Sequence, residues 1–197
     1  YQAYKSSYQG WLINICNALE NIKIHDELNR LVYRLEEISV KDELTGLYNR
    51  RALHTIGQKY LDQCKKKRSY IMVFSADMDN LKYINDNFGH AKGDIAIKTV
   101  ADALVNAAEN DELCIRMGGD EYTVIGADYS ISKVERFVAR FDNAIKKFNE
   151  ENAYNFKISI SYGWVVIQAE KNIKLEECLS IADEKMYRQK YAKETLG

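Results

Sequence analysis

Apolar residues recur at helical spacing through the first part of this chain, switch to strand spacing at Tyr70, and alternate between the two periods from there on. Leu12, Ile15, Leu19 and Ile22 form one stripe at 3,4,3 spacing, and Ile24, Leu28, Leu31, Leu35 and Ile38 form a second. The phase slips between Ile22 and Ile24, which predicts either two helices or one helix with a stutter between about residues 8 and 40. A helix over about 50 to 65 leads to Tyr70–Ala76, a nearly unbroken apolar run of the kind found in a central strand buried on both faces. Ile97, Val100 and Leu104 mark a helix near 90 to 108, and Val134, Phe137, Phe141, Ile145 and Phe148 mark another. Strands are predicted around 112 to 117, 121 to 126 and 156 to 167, and a last helix carries Leu175, Leu179, Ala182 and Met186. The pattern thus divides into a helical extension over residues 1–40 and an alternating α/β domain over 41–197.

Two acidic sites interrupt this pattern. Met117-Gly118-Gly119-Asp120-Glu121-Tyr122 places adjacent carboxylates at the tip of a tight turn, and the Gly-Gly pair suits a two-residue hairpin whose central positions need positive φ. Bunched acids at such a tip repel each other unless they are solvated or bound to a cation. The apolar Tyr70 strand ends at Asp77-Met78-Asp79, and ligands of open α/β sheets sit beyond the carboxyl ends of strands. If the strand and the hairpin are neighbours, Asp77 and Asp120 can share hard divalent cations. Oxygen donors without nearby His or Cys favour magnesium over zinc.

The hairpin Gly118-Gly119-Asp120-Glu121-Tyr122 resembles the signature of the GGDEF family, the diguanylate cyclases. Further stretches in the family's order are Asp42–Arg51 (DELTGLYNRR), Asp77–Asp86 (DMDNLKYIND), Phe88–Asp94 (FGHAKGD), Ser159–Gly163 and Ala182–Tyr187. The resemblance covers roughly residues 40 to 190 and implies a palm-like nucleotidyl-cyclase fold, an antiparallel central sheet flanked by helices. It also implies the condensation of two GTP into cyclic di-GMP with loss of two pyrophosphates, in a homodimer in which each half-site holds one GTP.

Carried over by position, Asp77 and Asp120 are implied as metal ligands, with the Met78 carbonyl completing the sphere and Glu121 serving a second metal. Two magnesium ions per active site, or manganese in their place, would stabilise entering and leaving oxygens. Asp120 also stands where the family has its general base. Backbone amides from Asp79 to Lys82 would cradle phosphates, and Lys82 would neutralise transition-state charge. Asn85 and Asp94 stand where the family reads guanine, with His90 at a substrate-contacting position beside them. Taken alone, Asn85 reads first as a helix cap and His90 as a packed surface histidine. Lys190 matches a triphosphate-contacting lysine, whereas Glu194 replaces the arginine expected four residues on and leaves Lys193 as a partial substitute. Asp42 and Arg50 are spaced to form an ion pair, and Asp183 to cap or brace the closing helix. Tyr122 replaces the usual Phe. Glu109 and Glu112 occupy the positions of the family's Arg-x-x-Asp product-binding motif, which reverses the charge that grips a phosphodiester.

Composition narrows these readings. The formal net charge is −1, so no general basic field draws in nucleic acid, which counts against a polymerase on a similar palm. The run Lys65-Lys66-Lys67-Arg68 reads as a solvated loop before the first strand. The four cysteines, at 16, 64, 114 and 178, lack paired metal-ligand spacing, and Cys114 and Cys178 fall at core positions. With no disulfide pattern, signal peptide or apolar run of membrane-spanning length, a cytoplasmic domain is expected. The start at Tyr1 implies a fragment, with sensor or membrane-anchoring segments upstream. An active cyclase and a non-catalytic module that binds GTP or cyclic di-GMP both remain open, and the intact acids favour the cyclase.

Overall fold

A computed structural model describes residues 18–29, 40–109, 112–151 and 153–196. The chain divides into two units, Tyr1–Val40 and Lys41–Gly197. In the first, residues 18–29 form one helix, α1, which runs unbroken through the phase slip at Ile22–Ile24. At about 100° per residue, a two-residue step moves the stripe to the far side of the helix without disturbing its backbone. Leu19, Ile22, Ile24 and Leu28 are all exposed. The other stripe positions, Leu12, Ile15, Leu31, Leu35 and Ile38, lie outside the described residues, as does Cys16.

The second unit begins with a short strand β1 (Tyr48–Asn49) and α2 (Arg50–Ala52), which continues through a π-helical turn (Leu53–Gly57) into α3 (Gln58–Lys67). Then come β2 (Tyr70–Asp79), α4 (Leu81–Phe88), α5 (His90–Ala107), β3 (Leu113–Gly118), β4 (Glu121–Ala127), α6 (Ile131–Glu151), β5 (Ser159–Gln168) and α7 (Leu175–Leu196). The sheet order is β1-β3-β4-β2-β5. Three of its pairings are antiparallel, but β1 runs parallel to β3. The sheet is therefore mixed, which corrects the expectation of a purely antiparallel one. The reason is topological: α2 and α3 return the chain so that β1 and β2 point the same way, as a crossover requires. Two antiparallel steps from β2 through β4 then leave β3 parallel to β1.

Strand β2 is buried on both faces, as its composition predicts. Met72, Phe74, Ala76 and Met78 pack with α5 and α6, where Phe74 meets Phe137 and Phe141 edge-on at centroid separations of 5.2 and 5.8 Å. Ile71 and Val73 point the other way, toward Leu61 and Cys64 of α3 and Leu175, Cys178 and Ala182 of α7. Period-2 alternation puts Ser75 and Asp77 on that same α7 face. Helix α7 lies tight on β5 at Gly163, where a Cβ would fall 2.7 Å from Lys185 Cβ and against the backbone of Ala182 and Met186. That contact holds the C-terminal half of α7 over the carboxyl end of β2.

Cys64, Cys114 and Cys178 are buried and unbridged. Lys65, Lys66 and Lys67 close α3, where cations favour the helix C-terminus. Lys67 reaches Asp128 at 2.6 Å on the surface. Among the described residues, no helix is long and apolar enough to cross a membrane.

Candidate active site at the carboxyl end of the central strand

Asp77 and Asp79 project from the end of β2 toward α7, and each meets a lysine. Lys190 Nζ stands 2.5 Å from Asp77 Oδ1, and Lys193 Nζ stands 2.9 Å from Asp79 Oδ2. Three residues of helix rise about 4.5 Å and two of strand about 6.6 Å, a mismatch that flexible lysine side chains absorb. The two carboxylates are otherwise treated differently. Asp79 accepts hydrogen bonds from Ser159 Oγ at 2.6 Å and Ser161 Oγ at 2.7 Å as well as from Lys193. Burial pushes its pKa up, but these donors outweigh burial and hold it below the ordinary value. Asp77, only 8% exposed, has Lys190 alone as a side-chain partner among the described residues. Burial pushes Asp77 up, the charges of Asp120 and Asp79 add to that push, and Lys190 offsets only part of it. Lys190 is raised in turn, chiefly by its bond to Asp77. Negative charge at Asp77 is thus left incompletely compensated.

The hairpin of β3 and β4 delivers the next two acids. Glu121 lies directly across from Asp77 in the β2–β4 register. Gly118 and Gly119 both take positive φ, 147° and 54°. The two loop residues are nevertheless Gly119 and Asp120, because Gly118 pairs with Glu121 beyond a register shift that follows Arg116. This moves Asp120 into the turn itself, where its carbonyl accepts the Met78 N–H at 3.0 Å and locks the tip against β2. Arg116 fixes the turn from the other side, donating to the Gly119 carbonyl through Nε at 3.1 Å and Nη2 at 2.8 Å. Its Nη1 reaches Asp42 at 3.0 Å. The ion pair of Asp42 is therefore with Arg116 and not with Arg50, a correction with a simple cause. Asp42 lies in its own tight turn, bonded by Thr45 N–H and Oγ1, and β1 beside β3 brings it to Arg116 across the sheet. Burial pushes Asp42 up, but bonds from Thr45 and Arg116 win and hold its pKa low. The buried Tyr122 hydroxyl donates to the Ile97 carbonyl of α5 at 3.0 Å, so the hydroxyl absent from a Phe is satisfied.

Beyond β2 the chain turns through Asn80 at φ 60° into α4, whose N-terminus has no side-chain cap and no acid in its first turn. The first amides of a helix so begun are open to an anion. Lys82 sits in that turn and is exposed. Asn85 and Gly93 meet where α4 packs on α5. Asp94 follows Gly93, exposed, and His90 opens α5, also exposed. Asp183 lies in the middle of α7, exposed, and caps nothing. With Arg50, Ser75, Thr123, Glu121 and Met186 it lines a cavity between α7 and the sheet. Glu109 is held by Arg140 at 2.8 Å, and Glu112 takes the Glu109 N–H at 2.8 Å and the Tyr129 hydroxyl. Both carboxylates at the Arg-x-x-Asp positions are therefore occupied within the fold.

Asp77, Asp120 and Glu121 share one end of the sheet, and the Met78 side chain turns into the opposite core, leaving only its carbonyl for ligation. Among the described residues, no three His, Cys, Asp or Glu side chains stand close enough to hold a metal by themselves. The oxygen-only donors and the under-compensated Asp77 fit a hard divalent cation.

The profile of the family described as "Diguanylate cyclase, GGDEF domain" matches residues 39–195. The chain belongs to this family. It is 32% identical over 183 residues to the probable diguanylate cyclase DgcJ of Escherichia coli K12, covering 93% of this chain and 35% of that protein. It is 30% identical over 157 residues to the diguanylate cyclase DgcP of the same strain, covering 79% of this chain and 46% of that one. The chain thus spans between about a third and a half of the length of these relatives. A crystal structure of the coiled coil and GGDEF domain of DgcB from Caulobacter crescentus in complex with c-di-GMP superposes with TM-score 0.70. It covers 86% of this chain and 92% of that one at 22% identity, a likeness of fold. Within the GGDEF frame, sequence reasoning missed the Ser159–Ser161 cradle of Asp79 and the bracing of the turn by Arg116. The signal for the first is a pair of serines two apart, at the start of a strand that must pair with β2. For the second it is a lone arginine among apolar residues just before the signature.

Proposed function

We propose that this domain is a diguanylate cyclase, condensing two GTP into cyclic di-GMP with release of two pyrophosphates. One observation carries the reading: Asp77 lies against the signature hairpin, with Glu121 in register beside it, the Asp120 carbonyl bonded to Met78 N–H, and Lys190 opposite. Asp77, the Met78 carbonyl, Asp120 and Glu121 would hold magnesium there. When bound, two such ions neutralise the transferring phosphoryl group and stabilise its entering and leaving oxygens.

The chain's own residues do the rest. The open amides at Asn80–Lys82 and the Lys82 ammonium receive phosphate oxygens, and Lys190 and Lys193 approach them from α7. Asp94 accepts from the guanine N1–H and amino group, and the Asn85 amide both donates and accepts beside it, with His90 at the rim. Asp120 takes the proton from the attacking 3′-hydroxyl. Because one domain holds one GTP, two copies face each other, most simply with two-fold symmetry. The 1–40 unit, an extension preceding the catalytic domain, brings them together. The nucleotide substrate assigns the domain to the cytoplasm.

Turnover of GTP with magnesium by the intact chain, Asp77→Asn and Asp120→Asn tests this reading. Both variants should lose synthesis while keeping the parent's circular dichroism, and near-parental turnover by either overturns it. Tight GTP binding without turnover by the parent would make the domain a receptor.

A further inference from the structure

Helices α4 and α5 meet closely where Asn85 faces Gly93. A Cβ built on Gly93 would fall inside contact distance of Asn85 Oδ1, 3.0 Å from its Cγ and 3.5 Å from its Nδ2. Apart from the adjacent residues and the backbone of α5 itself, these three atoms, all of one amide, are the nearest to that position. Gly93 is buried, lies within α5 and has no positive φ, so the position uses the missing side chain and not the backbone freedom of glycine. The corner around it is fixed by main-chain bonds. The Gly89 N–H donates to the Asn85 carbonyl at 2.9 Å, and the N–H groups of Lys92 and Gly93 donate to the Gly89 carbonyl at 3.0 and 3.3 Å. The Asn85 backbone is thereby anchored, and its side chain is the part able to yield. Gly163 differs in kind, because a methyl there meets the backbone of α7.

We propose that Gly93 is a positioning residue for base recognition: its bare Cα is the seat that holds the Asn85 amide next to Asp94 and so sets selectivity for guanine. The inference rests on the reading of Asn85 and Asp94 as the base-recognising pair. A methyl at this seat leaves the helices in place and displaces the amide by on the order of 1 Å, a misplacement able to cost about a hundredfold where polar groups must meet a ligand in fixed geometry. Alanine also suits a helix interior better than glycine does. The two consequences of Gly93→Ala therefore have opposite signs, with the fold held or strengthened and guanine recognition weakened.

The test measures binding of the α,β-methylene analogues of GTP and ATP, which cannot lose pyrophosphate, by titration calorimetry with magnesium. It uses the full chain, Gly93→Ala, Asn85→Ala and the double variant, together with their melting temperatures. Gly93→Ala should weaken the GTP analogue at least tenfold, leave the ATP analogue unchanged and melt no lower than the parent. The double variant should bind no more weakly than Asn85→Ala, because the glycine acts only through that amide. If Asn85→Ala weakens binding while Gly93→Ala matches the parent, the role of Gly93 is overturned and base reading by Asn85 stands. If Asn85→Ala itself binds like the parent, the base-reading assignment falls and the inference with it. A lower melting temperature for Gly93→Ala would show that the helices take up the methyl, which also overturns the proposal.

Discussion

Lys190 and Asp77, 113 residues apart in sequence, meet at 2.5 Å across the gap between α7 and β2. This lysine donates to a carboxylate that burial and two neighbouring acids push toward protonation. Its reach from α7 makes it a counter-ion for Asp77, and in the proposed reaction it would also meet incoming phosphate. Lys190→Met should raise the KM for GTP by about 10- to 100-fold, the equivalent of about 1.5 to 3 kcal/mol for a hydrogen bond to a charged group. Lys193→Met should act in the same direction but less, since Lys193 already serves Asp79 and the Ile160 carbonyl. Steady-state kinetics check both, and an unchanged KM in Lys190→Met would remove that lysine from the phosphate site.

Much of this arrangement was legible in the sequence. The apolar run ending at Asp77 and the acids after Gly118-Gly119 mark the two halves of the site, because a buried strand and a tight hairpin each leave a local pattern. The pairing of Asp42 with Arg116 left none. It depends on β1 lying parallel to β3, a register between segments far apart in the chain, and the closer Arg50 was the wrong partner. The pairing of Gly118 with Glu121 was missed for a similar reason, since a register shift of one residue is invisible to a count of glycines. The serines beneath Asp79 emerge only when β5 is set beside β2.

The Asp42–Arg116 pair gives a pH dependence of definite sign. The folded state holds the Asp42 carboxyl below its ordinary value of 3.8, so the pair's stabilisation is fully present above about that pH. It is lost as the pH falls through the lower, folded value. The melting-temperature gap between the parent and Asp42→Asn should be constant near neutrality and shrink below pH 3.8. A gap that persists unchanged into acid would show that the ion pair is not its source.

Gly163 tests the seating of α7. Gly163→Ala should cost about 1 to 3 kcal/mol, as overpacking does, and lower the melting temperature by about 2 to 4 °C per kcal/mol. Because Lys190 and Lys193 ride on the same helix, GTP turnover should fall as well. Unchanged stability would mean that α7 sits off β5 at this point.

The N-terminal unit bears on assembly. Parallel pairing of one of its apolar stripes with the same stripe of a second copy would raise the local concentration of two catalytic domains. Deleting residues 1 to 38 should leave GTP binding intact and lower cyclase activity at low protein concentration, with recovery as concentration rises. Equal activity at every concentration would separate these stripes from dimerisation.

The most direct measurement incubates the chain with GTP and magnesium and separates the nucleotides by mass, with Asp120→Asn alongside. The account predicts that the parent forms cyclic di-GMP with two pyrophosphates for each product, and that the variant forms none. GTP left intact by the parent, or converted only to GDP and phosphate, would contradict it.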